Sequence, residues 1–179
     1  MLTLVLADSK MKVNPNEIDK RRSEPDLVHI TLLLAIDSGL SEERELRVIV
    51  HTRDDKIFRI ESHVEIPENF EEFENMIVDT VQGHGPQGIN YSEQSLMDVL
   101  KDEVGHKIVM SPHGEKKSPI DIFSRAEDYV VVVGGFKEGD FVSPVYEWAD
   151  KNVSISNRLM KSWSVAAEVL VAYRYCSLE

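Results

Sequence analysis

The chain has 179 residues, and 42% of them are hydrophobic, which suits a globular protein with a substantial core. Its single cysteine, Cys176, excludes an internal disulfide and a zinc cage built on cysteines. The formal net charge is −12, with 32 acidic against 20 basic residues, and this alone argues against a nucleic-acid partner, because such binding depends on neutralising phosphates.

The N-terminal segment indicates where in the cell the protein is expected to reside. MLTLVLADSK has an acid where a secretory signal needs a continuous apolar core, and no apolar run of the sequence is long enough to span a bilayer. We therefore expect no membrane association and a reducing, cytoplasmic location.

The first half of the chain alternates strands with a helix. We predict a strand at Leu2–Leu6 and a polar connection that ends at Pro25. A buried, leucine-rich helix then follows, closed by Gly39. ELRVIVHT and KIFRIE, separated by the turn RDD, are typical of a β-hairpin.

The stretch GHGPQG, residues 83–88, matches the G-x-G-x-x-G pattern of dinucleotide-binding turns. That pattern requires a strand before its first glycine and a helix at its third. Here the preceding segment has helical spacing, with Asn69 as N-cap and Glu72 three residues later. The following residues begin no helix until about Ser92, where we predict an amphipathic helix to Val104 with Leu96, Val99, Leu100 and Val104 on one face. We interpret GHGPQG as a connecting loop.

The second half alternates more clearly. HKIVMS, DYVVVVGGF and VSIS are predicted strands, SPIDIFSRA is a predicted short helix, and LMKSWSVAAEVLVAYRY is the predicted final helix. The run Val130–Val133 favours a parallel strand buried on both faces. The pattern predicts an α/β fold with an open, mainly parallel sheet. Ligands of such sheets lie beyond the carboxyl ends of the strands, in this chain at MSPHGEK, GGFKEGD and SNRLMK.

Two of these loops offer recognisable binding chemistry. Gly134 and Gly139 follow a buried strand, where glycine permits positive φ and the close approach of a ligand, although a tight turn would use the same residues. Leu159 and Met160 suit a flat aromatic group, although they could equally be core residues beside a helix cap.

The six histidines show no metal-ligand spacing, so we predict no metal. His51, at a strand end, is interpreted as a structural hydrogen-bonding residue rather than a catalytic base. No nucleophile elbow supports Ser-His-Asp hydrolysis, and the sequence assigns no catalytic residue.

Several segments taken together are similar to one family: PDLVHITLLLAIDS, LRVIVHTRDDKIFRI, IPENFEEF, GPQ, VVVVGGFKEGD and VSISN. In this order they resemble the small-subunit ribosomal RNA pseudouridine-N(1)-methyltransferases of archaeal type, which are ribosome-assembly proteins of the trefoil-knotted SPOUT class. The resemblance implies one homodimeric domain over residues 1–179, with a small hairpin and helix insertion and a knot over about 106–179. It also implies S-adenosylmethionine as cofactor and S-adenosylhomocysteine as product. The implied cofactor contacts are Ser111, Gly134, Gly139, Ile155, Ser156, Asn157, Arg158, Leu159 and Met160.

The RNA-binding positions implied by the resemblance contain an anomaly. The family has an arginine two residues before Asp26, held by that aspartate, and three more on the segment leading into the acidic helix. In this sequence the four positions are Glu24, Glu65, Glu68 and Glu72. Glutamates there repel phosphate, and Asp26 loses its partner, so we expect cofactor binding with weak or no RNA binding. A solvated acidic face is the alternative interpretation, and the possible compensating contacts are Arg21, Arg22, Arg53 and Arg59.

The final helix is apolar on most sides, which predicts that it lies at or near a homodimer interface unless its own subunit buries it. The residues concerned are Leu159, Trp163, Val165, Ala166, Val169, Leu170 and Tyr173. Two function classes remain open: an RNA methyltransferase acting on N(1) of a pseudouridine, and a non-catalytic knotted assembly or protein-binding module. A divergent methyltransferase with another substrate would also fit.

Overall fold

The computed structural model describes residues 1–13, 25–124 and 127–178. Within these ranges the strands are β1 (Leu2–Ser9), β2 (Leu46–Thr52), β3 (Lys56–Glu61), β4 (Ile89–Glu93), β5 (His106–Lys116), β6 (Tyr129–Gly134) and β7 (Lys151–Ser154). The helices are α1 (Pro25–Ile36), α2 (Gly39–Glu42), α3 (Phe70–Val81), α4 (Leu96–Asp102), α5 (Val145–Trp148) and α6 (Ser162–Leu178).

The seven strands form one sheet in the order β4-β3-β2-β1-β6-β5-β7. The five strands from β2 to β7 in this order run parallel, and β3 and β4 extend the sheet as antiparallel strands. β1 is buried along its whole length and β6 along five of its six residues, as in sheets covered on both faces. The predicted α/β class with an open, mainly parallel sheet is confirmed.

Helices cover both faces of the sheet. One apolar cluster joins the sheet to α1, α3 and α6, and a second joins its other face to α4 and α5. Successive β1 side chains alternate between the two clusters, with Leu4 and Leu6 in the first and Val5 and Ala7 in the second. This is why the central strands are continuous apolar runs in the sequence. No helix in the described ranges is long and apolar enough to cross a membrane.

The predicted leucine-rich helix ends earlier than expected. α1 stops before Gly39, which begins α2 instead of closing α1. Ser38 separates the two helices, because its hydroxyl donates to the Ala35 carbonyl and accepts from the Ser41 amide as an N-cap does. A side chain at position 39 would overlap the guanidinium of Arg174, so this glycine leaves space for that side chain.

The predicted hairpin is confirmed, since β2 and β3 are antiparallel and Asp55 takes a left-handed conformation (φ +58°) in the turn. The sequence did not predict β4, which pairs with β3 and sets Ile89 opposite Ile60. Only Ile89 of β4 is fully buried, while Tyr91 packs its ring against Phe58 at 5.3 Å. An edge strand with so few buried side chains has no apolar alternation to reveal it.

The helix after β4 is also shorter than predicted. It begins at Leu96 instead of Ser92, because Ser95 is the N-cap and its hydroxyl accepts from the Asp98 amide. Val104 lies beyond the end of α4 and is 80% exposed, so its expected place on the buried face is wrong.

The loop GHGPQG connects α3 to β4. A helix therefore precedes its first glycine, and Asn69 caps that helix by accepting from the Glu72 amide at 3.1 Å, as predicted. A dinucleotide turn needs a strand followed by a helix, and this loop has the reverse order. Its interpretation as a connection is confirmed.

In the second half, β5 continues beyond HKIVMS to Lys116, with an irregular register between Met110 and Glu115. SPIDIFSRA was predicted as a helix, but the only regular structure among its described residues is a 3₁₀ turn at Pro119–Asp121. Arg125 and Ala126 lie outside the described ranges. α6 begins at Ser162, which leaves Leu159 and Met160 in the preceding loop.

Candidate functional site

The middle of β5 (residues 110–113) and the loops that follow β6 and β7 line one cleft. These three strands are neighbours and parallel, so their carboxyl ends lie at the same edge of the sheet. Eight of the nine predicted cofactor residues line the cleft: Ser111, Gly134, Gly139, Ile155, Ser156, Arg158, Leu159 and Met160. Residues separated by nearly 50 positions in the sequence are thus brought together.

The two predicted glycines serve different purposes. Gly139 has a φ of +100°, the left-handed conformation that the sequence analysis expected. Gly134 is needed for space, since an added Cβ would lie 2.8 Å from the ring of Phe136. The Gly134 carbonyl also accepts a hydrogen bond from the hydroxyl of Ser162 at the start of α6. β6 is thereby tied to the helix behind the cleft.

The loop after β7 is held by hydrogen bonds to main-chain atoms. The Ser154 hydroxyl donates to the Ser156 carbonyl at 3.1 Å, and the Ser156 hydroxyl accepts from the Arg158 amide at 3.1 Å. Asn157 is the predicted residue that does not line the cleft, because its side-chain oxygen accepts from Lys116. Leu159 is 73% exposed at the rim, so it offers apolar surface to a ligand instead of belonging to the core.

A polar network on one wall of the cleft was missed by the sequence analysis. The Tyr146 hydroxyl donates to Asp140 at 2.6 Å and lies 3.1 Å from the Ser111 hydroxyl. Partial burial, followed by the hydrogen bond to Asp140, raises the pKa of Tyr146 above its ordinary value, so the phenol keeps its proton. α5, which carries Tyr146, has only four residues and no periodicity that could have predicted it.

A buried carboxylate holds the loop that carries Phe141 and Asp140. Asp8 is 1% exposed and accepts from the Val142 amide (2.7 Å), the Ser143 amide (2.8 Å) and the Ser143 hydroxyl (2.6 Å). Burial would raise its pKa, but the hydrogen bonds from His51 and this loop outweigh burial and lower the pKa to about 2. The sequence contains one indication of this role, because Asp8 is a charged residue that directly follows the apolar run LTLVLA.

His51 contacts this carboxylate from the other side. Its Nδ1 lies 3.3 Å from Asp8 Oδ1 and 3.2 Å from the Asp8 amide nitrogen, and its Nε2 lies 3.1 Å from Asp55 Oδ1. The ring is 1% exposed and does not line the cleft. These contacts agree with the structural role predicted for His51.

A family model described as EMG1/NEP1 methyltransferase matches residues 3–174, almost the whole chain. The chain belongs to this family. The Methanothrix thermoacetophila protein named ribosomal RNA small subunit methyltransferase Nep1 is 30% identical over 189 residues, covering 100% of this chain and 81% of its own length. The Thermoplasma acidophilum protein of that name is 30% identical over 165 residues, covering 89% of this chain and 73% of its own. The resemblance inferred from the sequence is confirmed.

A solved structure shares the fold. Archaeoglobus fulgidus Nep1, crystallised with S-adenosylhomocysteine, superposes with a TM-score of 0.80 at 19% identity, covering 97% of each chain. The arrangement of sheet and helices described above is therefore the arrangement of this family.

The described positions that the resemblance assigns to RNA binding lie at the start of α1 and around the start of α3. The expectation that Asp26 has no positive partner is wrong, because Asp26 accepts from Lys137 Nζ at 3.0 Å. Lys137 also lines the cleft, so this ion pair joins the start of α1 to the loop after β6. One turn further along α1, His29 Nε2 lies 2.6 Å from the Pro67 carbonyl and links the cleft side to the segment before α3.

The described glutamates at these positions are exposed, and two of them are brought together. Glu65 and Glu72 line one groove with Asp79, whereas Glu68 lies outside it. We call Glu65, Glu68 and Glu72 the acidic face. Glu24 lies outside the described residues. Glu72 also stabilises α3, since a carboxylate in the first turn interacts favourably with the positive end of the helix dipole.

Two of the four proposed compensating arginines, Arg53 and Arg59, are described by the structure, and both contact other residues of the protein. Arg53 donates to the Asp8 carbonyl at 3.2 Å and lies over the Phe136 ring at 5.5 Å. Arg59 lies 3.5 Å from the Ser92 hydroxyl. Arg21 and Arg22 are outside the described residues. Within the ranges that the structure covers, no group of three or more His, Cys, Asp or Glu is arranged to hold a metal ion.

Proposed function

We propose that the chain is an S-adenosylmethionine-dependent methyltransferase that acts on N(1) of a pseudouridine in small-subunit ribosomal RNA and takes part in ribosome assembly. One observation carries the proposal: the cleft at the ends of β5, β6 and β7 contains eight of the nine positions that the family resemblance assigns to the cofactor. Family membership supports the reaction.

The chemistry of the cleft suits this reaction. Methyl transfer from a sulfonium to a ring nitrogen needs an extruded base, an in-line approach and loss of the ring proton. When bound, the cofactor supplies the methyl group. Leu159 and Met160 offer apolar surface to its adenine, and the carboxylates of Glu138 and Asp140 line the same cleft, where they attract a positive sulfonium.

The test has two parts. Calorimetric titration with S-adenosylhomocysteine is expected to give one site per chain, and labelled methyl groups are expected to reach small-subunit RNA that contains pseudouridine. RNA with uridine at the same position is the control, because its N(1) carries the glycosidic bond and has no proton to lose. Absence of cofactor binding at millimolar concentration would refute the proposal.

We also propose that RNA binding is weak in this chain. Glu65 and Glu72 share an acidic groove, and the Lys137 charge that could attract phosphate is already paired with Asp26. The same observation favours a second candidate, a non-catalytic assembly or protein-binding module or a methyltransferase with another substrate. Cofactor binding without transfer to ribosomal RNA would favour a different substrate, and binding of neither would favour the non-catalytic module.

Of the seven residues expected near a homodimer interface, Leu159 is exposed and Trp163 and Val165 are partly buried, whereas the other four are buried. Ala166, Val169, Leu170 and Tyr173 are buried within their own chain and leave little for a partner. Val171 is 69% and Tyr175 53% exposed, four residues apart on one face of α6. We propose that this face contacts the partner subunit.

Light scattering at micromolar concentration tests this interface. The native chain is expected to give a dimer mass, and Val171→Asp is expected to raise the dimer dissociation constant at least about tenfold, because it places a charge in an apolar contact. Val104→Asp, an equally exposed valine outside α6, is the matched control. A monomeric native chain would reject the dimer.

The remaining parts of the proposal are the organisation of residues 1–179 as one domain, the trefoil knot over about 106–179, and the cytoplasmic location that fits a ribosomal RNA substrate.

A further inference from the structure

A second groove adjoins the cofactor cleft. It lies between the end of β5 and the loop after β7, and we call it the basic groove. Its lining residues are Lys116, Lys117, Ser118, Ser154, Ile155, Ser156, Asn157 and Arg158.

The charge of this groove is opposite to that of the whole chain. Three of its lining residues are cationic, none is acidic, and the others that are polar are hydroxyl or amide side chains. The chain as a whole carries a formal charge of −12. A concave surface lined by one sign of charge concentrates ions of the opposite sign, and this groove therefore attracts anions despite the acidic remainder.

The cations are held in place by different contacts. Lys116 donates to the Ser156 carbonyl at 3.2 Å and to the Asn157 side chain, which leaves one of its three N–H groups for another acceptor. The Lys117 amide donates to the Ser154 carbonyl at 2.9 Å, and its ammonium lies 3.5 Å from Glu115.

That pairing is weak, since the Glu115 side chain is 69% exposed. The guanidinium of Arg158 forms no ion pair within the described residues.

The groove and the cofactor cleft share a wall. Ser154, Ile155, Ser156 and Arg158 line both. An anion bound in the groove would thus lie directly beside the cofactor cleft. The acidic face lies on the other side of the cleft, beyond the Lys137–Asp26 pair.

We propose that the basic groove binds backbone phosphates of the RNA substrate next to the methylated nucleotide, and that Lys116, Lys117 and Arg158 supply the contacts. This inference rests on the proposed function. An extruded base leaves its own phosphates and those of its neighbours at the mouth of the cleft, where three cations and the Ser118 hydroxyl can receive them. The groove supplies the attraction that remains when the acidic face repels RNA.

The experiment compares RNA and cofactor binding in charge-matched variants. Filter binding of a small-subunit ribosomal RNA transcript is measured for the native chain, for Lys116→Gln/Lys117→Gln and for Lys117→Gln alone, from low to moderate salt. The matched control is Lys101→Gln/Lys151→Gln, which removes two exposed cations outside the groove. Calorimetry with S-adenosylhomocysteine is run on every variant.

We expect the groove double variant to lose at least about fivefold in RNA affinity, with the salt slope of log K falling by about 1 for each lysine. Lys117→Gln should lose less, the control should stay within twofold of the native chain, and cofactor affinity should not change in Lys117→Gln or in the control. The single variant Lys117→Gln is included because Lys116 also holds the loop after β7, so the double variant disturbs that loop as well as the charge.

Three outcomes overturn the inference. Equal losses in groove and control variants would mean that only net charge matters, while the proposed function stands. Loss of cofactor affinity without loss of RNA affinity would assign the groove to the cofactor. No RNA binding by the native chain, even at low salt, would refute both the inference and the RNA methyltransferase function.

Discussion

The cofactor cleft and the acidic face are parts of one proposed site, but the chain has the residues expected for the cleft and lacks the arginines expected for the acidic face. The cleft is built by main-chain segments at the ends of three adjacent strands, and it contains almost every residue that the family resemblance assigns to it. The acidic face consists of exposed side chains around the start of α3, and it has glutamate at every position where the resemblance implies an arginine. A site made by the backbone cannot change without disturbing the fold, whereas exposed charges can be reversed freely.

The largest effect is expected from a substitution that fills space in the cofactor cleft. Gly134→Leu places a side chain where the Phe136 ring already lies 2.8 Å from the Cβ position. Gly134 and Phe136 both line the cleft, so the added side chain and the displaced ring compete with the ligand for space, and we expect affinity for S-adenosylhomocysteine to fall more than about 100-fold in calorimetric titration.

Gly83→Asn is the control for this variant. Gly83 has a φ of +82° in the α3–β4 loop and nothing within 4 Å of its Cβ position, and asparagine tolerates that conformation. Its cofactor affinity should equal that of the native chain. Native affinity in Gly134→Leu would mean that the cofactor binds elsewhere.

The second-largest effect is expected from substitutions that reverse the charge of the acidic face. Restoring arginine at positions 24, 65, 68 and 72 raises the formal net charge by 8, from −12 to −4, because each change replaces −1 with +1. We expect RNA affinity to rise about 100-fold or more at low salt in filter binding, and then to fall steeply as salt rises. Cofactor affinity should not change, because the acidic face does not line the cleft.

A second variant with the same change in net charge tests whether the position of the new arginines matters. Arginine at four exposed acids on other elements gives the same total change, and suitable positions are Glu42, Glu93, Asp102 and Asp121. If this variant binds RNA as tightly as the first, the acidic face is not the RNA surface. Tight, salt-sensitive binding by the native chain would lead to the same conclusion.

The smallest expected effect concerns the support of the cleft. Asp8 has a pKa of about 2 in the folded protein against 3.8 for an ordinary aspartate, so its charged form stabilises the fold. This contribution is complete above about pH 4 and is lost as pH falls towards 2, and it amounts to about 2 kcal/mol. Asp8→Asn should lower the free energy of unfolding at neutral pH by that amount and weaken cofactor binding several-fold.

Urea unfolding between pH 2 and 7 checks this prediction. Asp55→Asn is the control, because it removes the carboxylate on the exposed side of His51 and leaves the loop held by Asp8 intact. It should leave cofactor affinity unchanged. An Asp8→Asn variant as stable as the native chain at neutral pH would show that the loop needs no anchor.

Sequence patterns predicted the elements with strong periodicity or continuous apolar runs, such as β1, β6 and the hairpin of β2 and β3. They missed β4, since an edge strand with one fully buried side chain shows no alternation. They also missed α5, whose four residues are too few for a helical repeat. The end of α1 was misjudged because Ser38, not Gly39, separates it from α2.

The sequence by itself determined the fold class and the strand-end loops that line the cleft, and the family resemblance led us to propose a reversal of charge at Glu24, Glu65, Glu68 and Glu72. These follow from local periodicity, glycine placement and matched segments, which need no knowledge of distant contacts. Only the tertiary structure decided that Lys137 neutralises Asp26, that Asp8 holds the loop after Gly139, and that Lys116 and Arg158 share one groove. Each of these depends on residues far apart in the chain, whose proximity arises when the strands pair and their ends meet.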